Sequence, residues 1–349
     1  MKALQTFLLS MLTFTIILSG CSQKPEIIPT IVSTSIENDI KNIEVPKEGA
    51  LINESFDSKA LSNTLIEQAA IGEICIYLPP SYNDSKKRYP VLYFLHGYGG
   101  SPSELLVASK LDEVFMQPDV KEFIVVGING TTDLSGGSFY ANSPVAGNWE
   151  DLVTQETVAY MDSHYRTISQ SEGRGLVGFS MGGGAAINIG LKHPDIFSAI
   201  YAICPGVFTP DGLPKAFKSW ETDSAFKSCY GGAFSPNVNG EAPYYSNIPS
   251  FDGTEKDNKI IKDWESGFGD IENKVANYKK LPTQLTAIGL IYGESDPYTW
   301  ITEGTKYFDE LLNKNNIPTE IKVGLGHSIP NTFIQETMIP FFSKHLKSE

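Results

Sequence analysis

The chain has 349 residues, 27 of them basic and 41 acidic, so its formal net charge is −14. This acidic balance argues against nucleic acid or an anionic membrane surface as a binding partner, because both carry negative charge. The length and the 41% hydrophobic content are those of an ordinary globular protein that can bury a large core in a single α/β domain.

The first part of the chain predicts export. A short basic start at residues 1–2 precedes an apolar run over 3–18, and small residues then lead to Cys21. This layout is typical of a secretory signal peptide, and small residues that end at a cysteine resemble the bacterial lipobox. We therefore expect a signal peptide over 1–20, lipidation of Cys21, and a protein held outside the cytoplasm on the cell membrane or outer membrane by its lipid alone. The alternatives are an ordinary cleaved signal and an uncleaved anchor.

The rest of the chain divides into a tether and one folded domain. Residues 21–54 contain several prolines and no sustained hydrophobic period, which indicates a flexible tether. From residue 55 to residue 349, strand-like and helix-like stretches alternate, as in a mostly parallel sheet covered on both faces. The predicted strands are 62–68, 73–78, 91–95, 123–128, 176–179, 197–203, 285–292 and 319–323, and the predicted helices are 101–110, 149–165, 181–192, 300–313 and 330–347.

Two stretches interrupt the alternation. Residues 129–148 are rich in Gly, Ser, Thr and Asn and are predicted to form a long surface loop, with Asn148 as the N-cap of the next helix. Residues 205–284 are rich in glycine, proline and aromatic residues. They are predicted to be a cap-like insertion before the strand 285–292.

Three cysteines follow Cys21, namely Cys75, Cys204 and Cys229. Their odd number and their spacing indicate neither a disulfide framework nor a zinc site. Cys75 lies in a strand pattern and is expected to be a buried thiol. A disulfide between Cys204 and Cys229 is left open.

The motif Gly178-Phe179-Ser180-Met181-Gly182 lies where a predicted strand changes into a predicted helix. Glycine is required two residues on either side of the serine, because the turn is tight and a side chain there would clash. The turn places the Ser180 hydroxyl at the positive end of the helix. This is the layout of a nucleophile elbow, although a glycine-rich turn in any α/β protein can contain the same letters.

A nucleophilic serine needs a base and a group that orients the base. His327 follows the predicted strand 319–323, and Asp296 follows the predicted strand 285–292, with Glu294 as the alternative acid. Both residues follow the carboxyl ends of strands, where α/β sheets bind ligands. The chain order Ser180, Asp296, His327 is that of α/β-hydrolases. For the other histidines we predict surface positions (His164, His345), a helix C-cap (His193) and a brace for the loop after strand 91–95 (His96).

The glycine-rich loop after strand 91–95 is predicted to complete an oxyanion hole. Its donors would be the backbone N–H groups of Met181 and of Tyr98 or its neighbour Gly99. A dinucleotide-binding loop is the alternative, but the third glycine of that motif is absent at the required position. Since the chain has no His-Glu-x-x-His motif and no ligand-spaced cluster, we expect no metal and no cofactor.

The motifs at 89–97 (YPVLYFLHG), 178–183 (GFSMGG) and 193–197 (HPDIF) together resemble the esterase D-like branch of the α/β-hydrolases. That branch includes feruloyl and acetylxylan esterases, siderophore esterases, S-formylglutathione hydrolase and mycolyltransferases. The resemblance covers roughly residues 55–346 and implies a serine carboxylesterase with an acyl-enzyme intermediate. The insertion 205–284 is longer than in compact members of the branch.

Export and tethering favour an extracellular polymer ester as substrate, as for a feruloyl or acetylxylan esterase. We expect aromatic side chains to stack on sugar or cinnamoyl rings, with Trp149, Trp220 and Tyr298 as candidates. The alternatives are a siderophore or other small-ester hydrolase and an acyltransferase. A tethered binding protein on an inactive hydrolase scaffold is the alternative from another class.

Overall fold

The computed structural model describes residues 48–108, 110–134 and 136–349. The predicted signal peptide, Cys21 and most of the predicted tether lie outside these residues. No helix within the described ranges is both long and apolar enough to cross a bilayer.

A single large sheet organises the described residues. It contains eight of the ten strands found there, and the remaining two form a short hairpin. In chain order the strands are β1 (Ala50–Asp57), β2 (Ile71–Leu78), β3 (Val91–Leu95), β4 (Ile124–Ile128), β5 (Asn142–Ser143), β6 (Gly147–Asn148), β7 (Arg174–Phe179), β8 (Ala199–Ile203), β9 (Ala287–Gly293) and β10 (Glu320–Gly324).

The spatial order in the sheet is β1-β2-β4-β3-β7-β8-β9-β10. β1 pairs antiparallel with β2, and β2 pairs antiparallel with β4, whereas all the other pairs are parallel. The chain runs from β3 to β4 in one direction and from β7 to β10 in the other. With the right-handed crossovers that parallel strands prefer, this order distributes helices over both faces. Every residue of β3, β4 and β8 is buried, as expected for central parallel strands. The predicted α/β-hydrolase fold is confirmed.

The helices follow the strands largely where the alternation predicted them. In chain order they are α1 (Glu104–Ala108), α2 (Leu111–Phe115), α3 (Trp149–Asp151), α4 (Val158–His164), α5 (Met181–Lys192), α6 (Leu213–Ser219), α7 (Ser224–Phe234), α8 (Glu255–Phe268), α9 (Ile271–Tyr278), α10 (Thr299–Lys314), α11 (Asn331–Phe333) and α12 (Ile339–His345). A π-helical segment, Leu152–Thr157, joins α3 to α4, and a second, Ile334–Met338, joins α11 to α12.

Two predictions near the start of the domain differ from the structure. β1 begins at Ala50, inside the stretch predicted to be tether, because its alternating side chains suit an edge strand with one half-buried face. The stretch 62–68 is not a strand. Leu65 and Ile66 donate their N–H groups to the Val145 carbonyl instead of to a neighbouring strand.

The prediction of a surface loop over 129–148 is wrong. Phe139 and Tyr140 are both buried, with 2% and 1% of their surface exposed. The Phe139 ring packs against Phe226 and Tyr230 of α7 at centroid distances of 5.2 and 5.1 Å. The segment therefore links the sheet to the insertion. Asn148 does precede α3, but its side chain makes no capping hydrogen bond.

The insertion 205–284 folds into α6, α7, α8 and α9 around aromatic side chains. Tyr230 is fully buried, and its ring lies 5.3 Å from Trp220, 5.0 Å from Trp264 and 5.1 Å from Phe268. The Tyr230 hydroxyl donates to the Trp264 carbonyl and accepts from the Phe268 N–H, so its buried polar atom is satisfied.

Candidate active site

The turn between β7 and α5 has the strained backbone that the sequence predicts. Ser180 has φ 53° and ψ −111°, in the left-handed half of backbone space that non-glycine residues rarely adopt. A Cβ added at Gly178 would lie 1.9 Å from the Gly182 carbonyl oxygen, and one at Gly182 would lie 2.0 Å from the Leu95 carbonyl oxygen. The predicted steric reason for both glycines is confirmed. The N–H groups of Gly184 and Gly206 donate to the Ser180 carbonyl and hold the turn.

The structure brings Ser180, His327 and Asp296 into one hydrogen-bonded chain. The His327 Nε2 lies 2.9 Å from the Ser180 Oγ, and its Nδ1 lies 2.8 Å from the Asp296 Oδ2. Asp296 follows β9 and His327 follows β10, so neighbouring parallel strands deliver the two side chains to the same edge of the sheet. In the neutral imidazole, Nδ1 donates to the carboxylate and Nε2 accepts from the serine hydroxyl.

Asp296 is held in place from two sides. Its carboxylate is fully buried, and its second oxygen accepts the N–H of Tyr298 at 2.8 Å. Glu294, the alternative acid, is exposed to solvent two residues earlier. The predicted choice of Asp296 over Glu294 therefore agrees with the geometry.

His96 is buried and has a different environment. The Nε2 of His96 accepts the Gly130 N–H at 2.9 Å, and its Nδ1 donates to the Gly97 carbonyl at 2.7 Å. Burial lowers the pKa of His96, so the ring stays neutral. It braces the glycine-rich loop, as predicted. The backbone of His193 caps the end of α5, also as predicted, while its side chain pairs with Glu150.

Of the three predicted oxyanion donors, Met181 and Tyr98 line the same cleft as Ser180. Met181 is the first residue of α5, where the backbone N–H has no partner within the helix, and both Met181 and Tyr98 line the cleft. Gly99 is a wrong choice. Its N–H donates to the Gly136 carbonyl at 2.7 Å and therefore points away from the substrate position.

Ser180 and His327 open into a cleft of about 360 Å³. Of the predicted substrate contacts, Trp220 and Tyr298 line it. Trp149 does not, because it is buried at the start of α3 and its indole N–H donates to the Ala146 carbonyl. The cleft residues that sequence reasoning missed include Ser219, Thr222, Asp223, Phe226, Trp300 and Ile301.

Most of these missed residues belong to the aromatic-rich insertion or to the start of α10. The aromatic content of the insertion indicated that it contributes to the cleft. No local motif distinguishes its cleft-lining residues from its packing residues. The ring of Phe226 joins the two groups, since it lies 4.8 Å from Tyr98 on the glycine-rich loop and 4.8 Å from Trp220.

A thiol lies directly behind the hydrogen-bonded chain. Cys204 is buried at the end of β8, and its sulfur, one Asp296 oxygen and one His327 nitrogen all lie within 4.8 Å of one another. Burial, reinforced by the Asp296 charge, raises the pKa of the Cys204 thiol to about 11. The group is therefore a thiol at neutral pH and a poor nucleophile. Cys204 and Cys229 both carry thiols and do not form a disulfide with each other.

Residues 72–264, more than half of the chain, match the model of the Esterase family, described as "Putative esterase". An endo-1,4-beta-xylanase/feruloyl esterase of Xylanibacter ruminicola is 30% identical over 154 residues, which are 41% of this chain and 21% of that protein. An acetyl esterase of Caldicellulosiruptor saccharolyticus is 28% identical over 131 residues, which are 37% of this chain and 46% of that protein. The matches thus span less than half of either relative.

Solved structures of similar fold include an S-formylglutathione hydrolase of Staphylococcus aureus, with a TM-score of 0.57 and 15% identity over 86% of this chain and 100% of that one. A ferulic acid esterase of Anaeromyces mucronatus, solved with ferulic acid, has a TM-score of 0.53 and 18% identity over 87% of this chain and 93% of that one. At these identities the likeness concerns the fold. Together with the family match, it identifies the chain as a member of the Esterase family with the α/β-hydrolase fold.

Proposed function

We propose that the protein is a serine carboxylesterase that works through an acyl-enzyme. The observation that carries this proposal is the hydrogen-bonded chain from Ser180 through His327 to the buried Asp296, at the base of an open cleft. A serine hydroxyl is a weak nucleophile unless a base accepts its proton. His327 is within hydrogen-bonding distance to do so, and Asp296 holds it in the required tautomer.

In the first half of the reaction, the Ser180 Oγ attacks the ester carbonyl carbon while the His327 Nε2 takes the hydroxyl proton. Asp296 stabilises the imidazolium that forms. The carbonyl oxygen becomes an oxyanion, and we assign its binding to the backbone N–H groups of Met181 and Tyr98, which line the cleft with Ser180. The bond to the leaving oxygen then breaks, and His327 returns its proton to the departing alcohol.

The second half repeats these steps with water. His327 removes a proton from a water molecule, whose oxygen attacks the acyl carbon bound to Ser180. The tetrahedral intermediate collapses with release of the acid, and the proton returns to the Ser180 Oγ. The net reaction converts ester and water into acid and alcohol, and it needs no oxidant or reductant.

We propose polysaccharide-linked esters as the natural substrates, of the feruloyl or acetylxylan type. Two observations support this choice. The cleft is walled by aromatic rings, including Trp220, Phe226 and Trp300, which suit flat or apolar groups. The relatives include proteins named for feruloyl and acetyl ester hydrolysis. The basic start, apolar run and Cys21 support an extracytoplasmic, lipid-anchored location that would bring the enzyme to such polymers.

The decisive experiment compares the wild-type domain, expressed from residue 48, with Ser180→Ala and with Ser295→Ala. Ser295 is an exposed serine near Asp296 that does not line the cleft, so it controls for the loss of a hydroxyl. The substrates are p-nitrophenyl acetate, methyl ferulate, acetylated xylan and a trilactone siderophore. We expect hydrolysis in the wild type and in Ser295→Ala, and a loss of at least about 10³-fold in Ser180→Ala.

The preferred substrate identifies the ester class. Activity that survives in Ser180→Ala would contradict the serine mechanism. A fluorophosphonate probe provides a readout that does not depend on substrate choice, because it should add its mass to Ser180 and to no other serine. If a folded wild-type domain neither reacted with the probe nor hydrolysed any ester, the protein would be a binding protein on an inactive scaffold.

A further inference from the structure

The rim of the cleft carries one negative charge that the reaction does not use. Asp223 lies between α6 and α7, and it is the only carboxylate among the residues that line the cleft in the described part of the chain. No lysine or arginine lines the cleft there. The other cleft walls are largely aromatic. No fixed positive charge from the described lining residues therefore offsets the negative charge of Asp223.

Hydrogen bonding fixes the position of this carboxylate. Asp223 is the N-cap of the eleven-residue helix α7, and its Oδ1 accepts the Phe226 N–H at 2.8 Å. Asp223 is exposed to solvent and lines the cleft, and no ion pair to it is found among the described residues.

Two lysines on the helices that flank Asp223 are engaged elsewhere. The Lys227 ammonium donates to the Glu221 carbonyl and lies 5.0 Å above the Phe217 ring. Lys215 pairs with Glu303 on α10. The Asp223 charge is therefore screened mainly by solvent and salt, and a charged substrate group in the cleft would experience it directly.

We propose that Asp223 makes the cleft selective for charge: esters whose group at the α6–α7 rim is neutral or cationic are used in preference to esters with a carboxylate there. This inference rests on the proposed function, since it requires the ester to occupy this cleft. Two unit charges a few ångströms apart at a wet surface change a rate or binding constant by about three- to tenfold. The negative charge of the whole chain acts in the same direction over a longer range.

The test uses three p-nitrophenyl esters of similar size, namely the hydrogen glutarate (anionic), the methyl glutarate (neutral) and 4-(trimethylammonio)butyrate (cationic). A second trio carries the same charges on the alcohol side, because either half of an ester can face the rim. Asp223→Asn removes the charge and keeps a side-chain oxygen for the helix cap. Glu221→Gln removes the same charge from the same exposed loop, at a residue that does not line the cleft.

We expect Asp223→Asn to raise kcat/KM for the anionic member of at least one trio by about three- to tenfold and to lower it for the cationic member. The neutral ester should change less than about twofold, and Glu221→Gln should leave all ratios within about twofold. The difference between the wild type and Asp223→Asn should shrink as NaCl is raised to about 0.5 M, where screening is strong.

Equal changes for all three esters, or an equal effect of Glu221→Gln, would overturn charge selection by Asp223 and leave the esterase proposal intact. Hydrolysis that persists in Ser180→Ala would overturn the esterase proposal instead. A folded enzyme that hydrolysed no member of either trio and failed to react with the fluorophosphonate probe would overturn both.

Discussion

The elbow at Ser180 and the insertion 205–284 border the same cleft but are held by different forces. At the elbow, backbone atoms approach so closely that only hydrogen fits at Gly178 and Gly182. In the insertion, large rings pack around Tyr230, with Trp220, Trp264 and Phe268 at centroid distances of 5.0 to 5.3 Å, and their positions depend on many partners at once. A steric rule between neighbouring residues is visible in sequence, whereas side-chain packing over long separations is not.

The largest effect should come from filling the elbow. Gly182→Ala places a methyl group 2.0 Å from the Leu95 carbonyl oxygen, which belongs to the backbone of a central strand and cannot move aside. We expect a loss of more than about 4 kcal/mol in the free energy of unfolding, or no folded protein at all. Urea denaturation and soluble yield measure the effect.

Gly326→Ala is the matched control for that substitution. An added Cβ at Gly326 meets no atom within 4 Å, although the residue lies next to His327. Its free energy of unfolding should stay within about 0.5 kcal/mol of the wild-type value. If Gly182→Ala unfolded at the same urea concentration as Gly326→Ala, the steric account of the elbow would be wrong.

A smaller but still large effect is expected at the acid. Asp296→Asn keeps the size of the side chain but removes the carboxylate that accepts the His327 Nδ1–H. The imidazole then loses its preferred tautomer, and kcat should fall about 10³- to 10⁴-fold. Steady-state kinetics with p-nitrophenyl acetate measure this loss, and circular dichroism checks the fold.

Glu294→Gln is the control for Asp296→Asn. It removes one negative charge from the same loop after β9 without removing the hydrogen bond to His327. Glu294 is exposed and bonds through its backbone to Gly324, so its side chain should be dispensable. We expect less than a twofold change in kcat. A comparable loss in both variants would mean that the carboxyl end of β9 contributes charge to the cleft and no specific hydrogen bond.

The parts of the molecule that sequence reasoning predicted are those with local rules. Continuous apolar runs located β3, β4 and β8 to within two residues, and the strand-end positions of Asp296 and His327 followed from the parallel alternation. The spacing of glycines about Ser180 followed from the tight turn. Each of these inferences needs only a short window of sequence.

The wrong predictions all involve contacts with residues that are distant in sequence or that no local rule identifies. The position of Gly99 in the glycine-rich loop suggested an oxyanion donor. Its N–H instead donates to the carbonyl of Gly136, which is distant in sequence. Trp149 was a plausible substrate contact by residue type, but its indole N–H bonds to the Ala146 carbonyl within the core. The centre of the polar stretch 129–148 is buried because Phe139 packs against rings about ninety residues later. Composition does not reveal such partners.

The smallest effect concerns a lysine of the insertion. Lys274 on α9 is partly buried, and its ammonium donates to the Gly267 carbonyl at 2.5 Å. Burial, with a smaller contribution from Lys192, lowers the pKa of Lys274 to about 7, against the opposing effect of Asp270. The unfolded chain should have the ordinary lysine pKa of about 10.4.

Between these two pKa values the unfolded state binds a proton that the folded state lacks, so the free energy of unfolding rises with pH. Below about pH 7 both states are protonated, and the folded state carries the full cost of a partly buried charge. Because the side chain is partly exposed, we expect a gain of only about 1 kcal/mol from pH 7 to pH 9. Urea denaturation at both pH values measures it.

Lys274→Met should remove this pH dependence and raise stability at pH 7, because it keeps the apolar stem and removes the buried charge. Lys279→Met, at the exposed end of the same helix, should leave the pH dependence as in the wild type. If Lys274→Met retained the wild-type rise from pH 7 to pH 9, the proton would be released elsewhere. Lys274 would then contribute nothing to the pH dependence of stability.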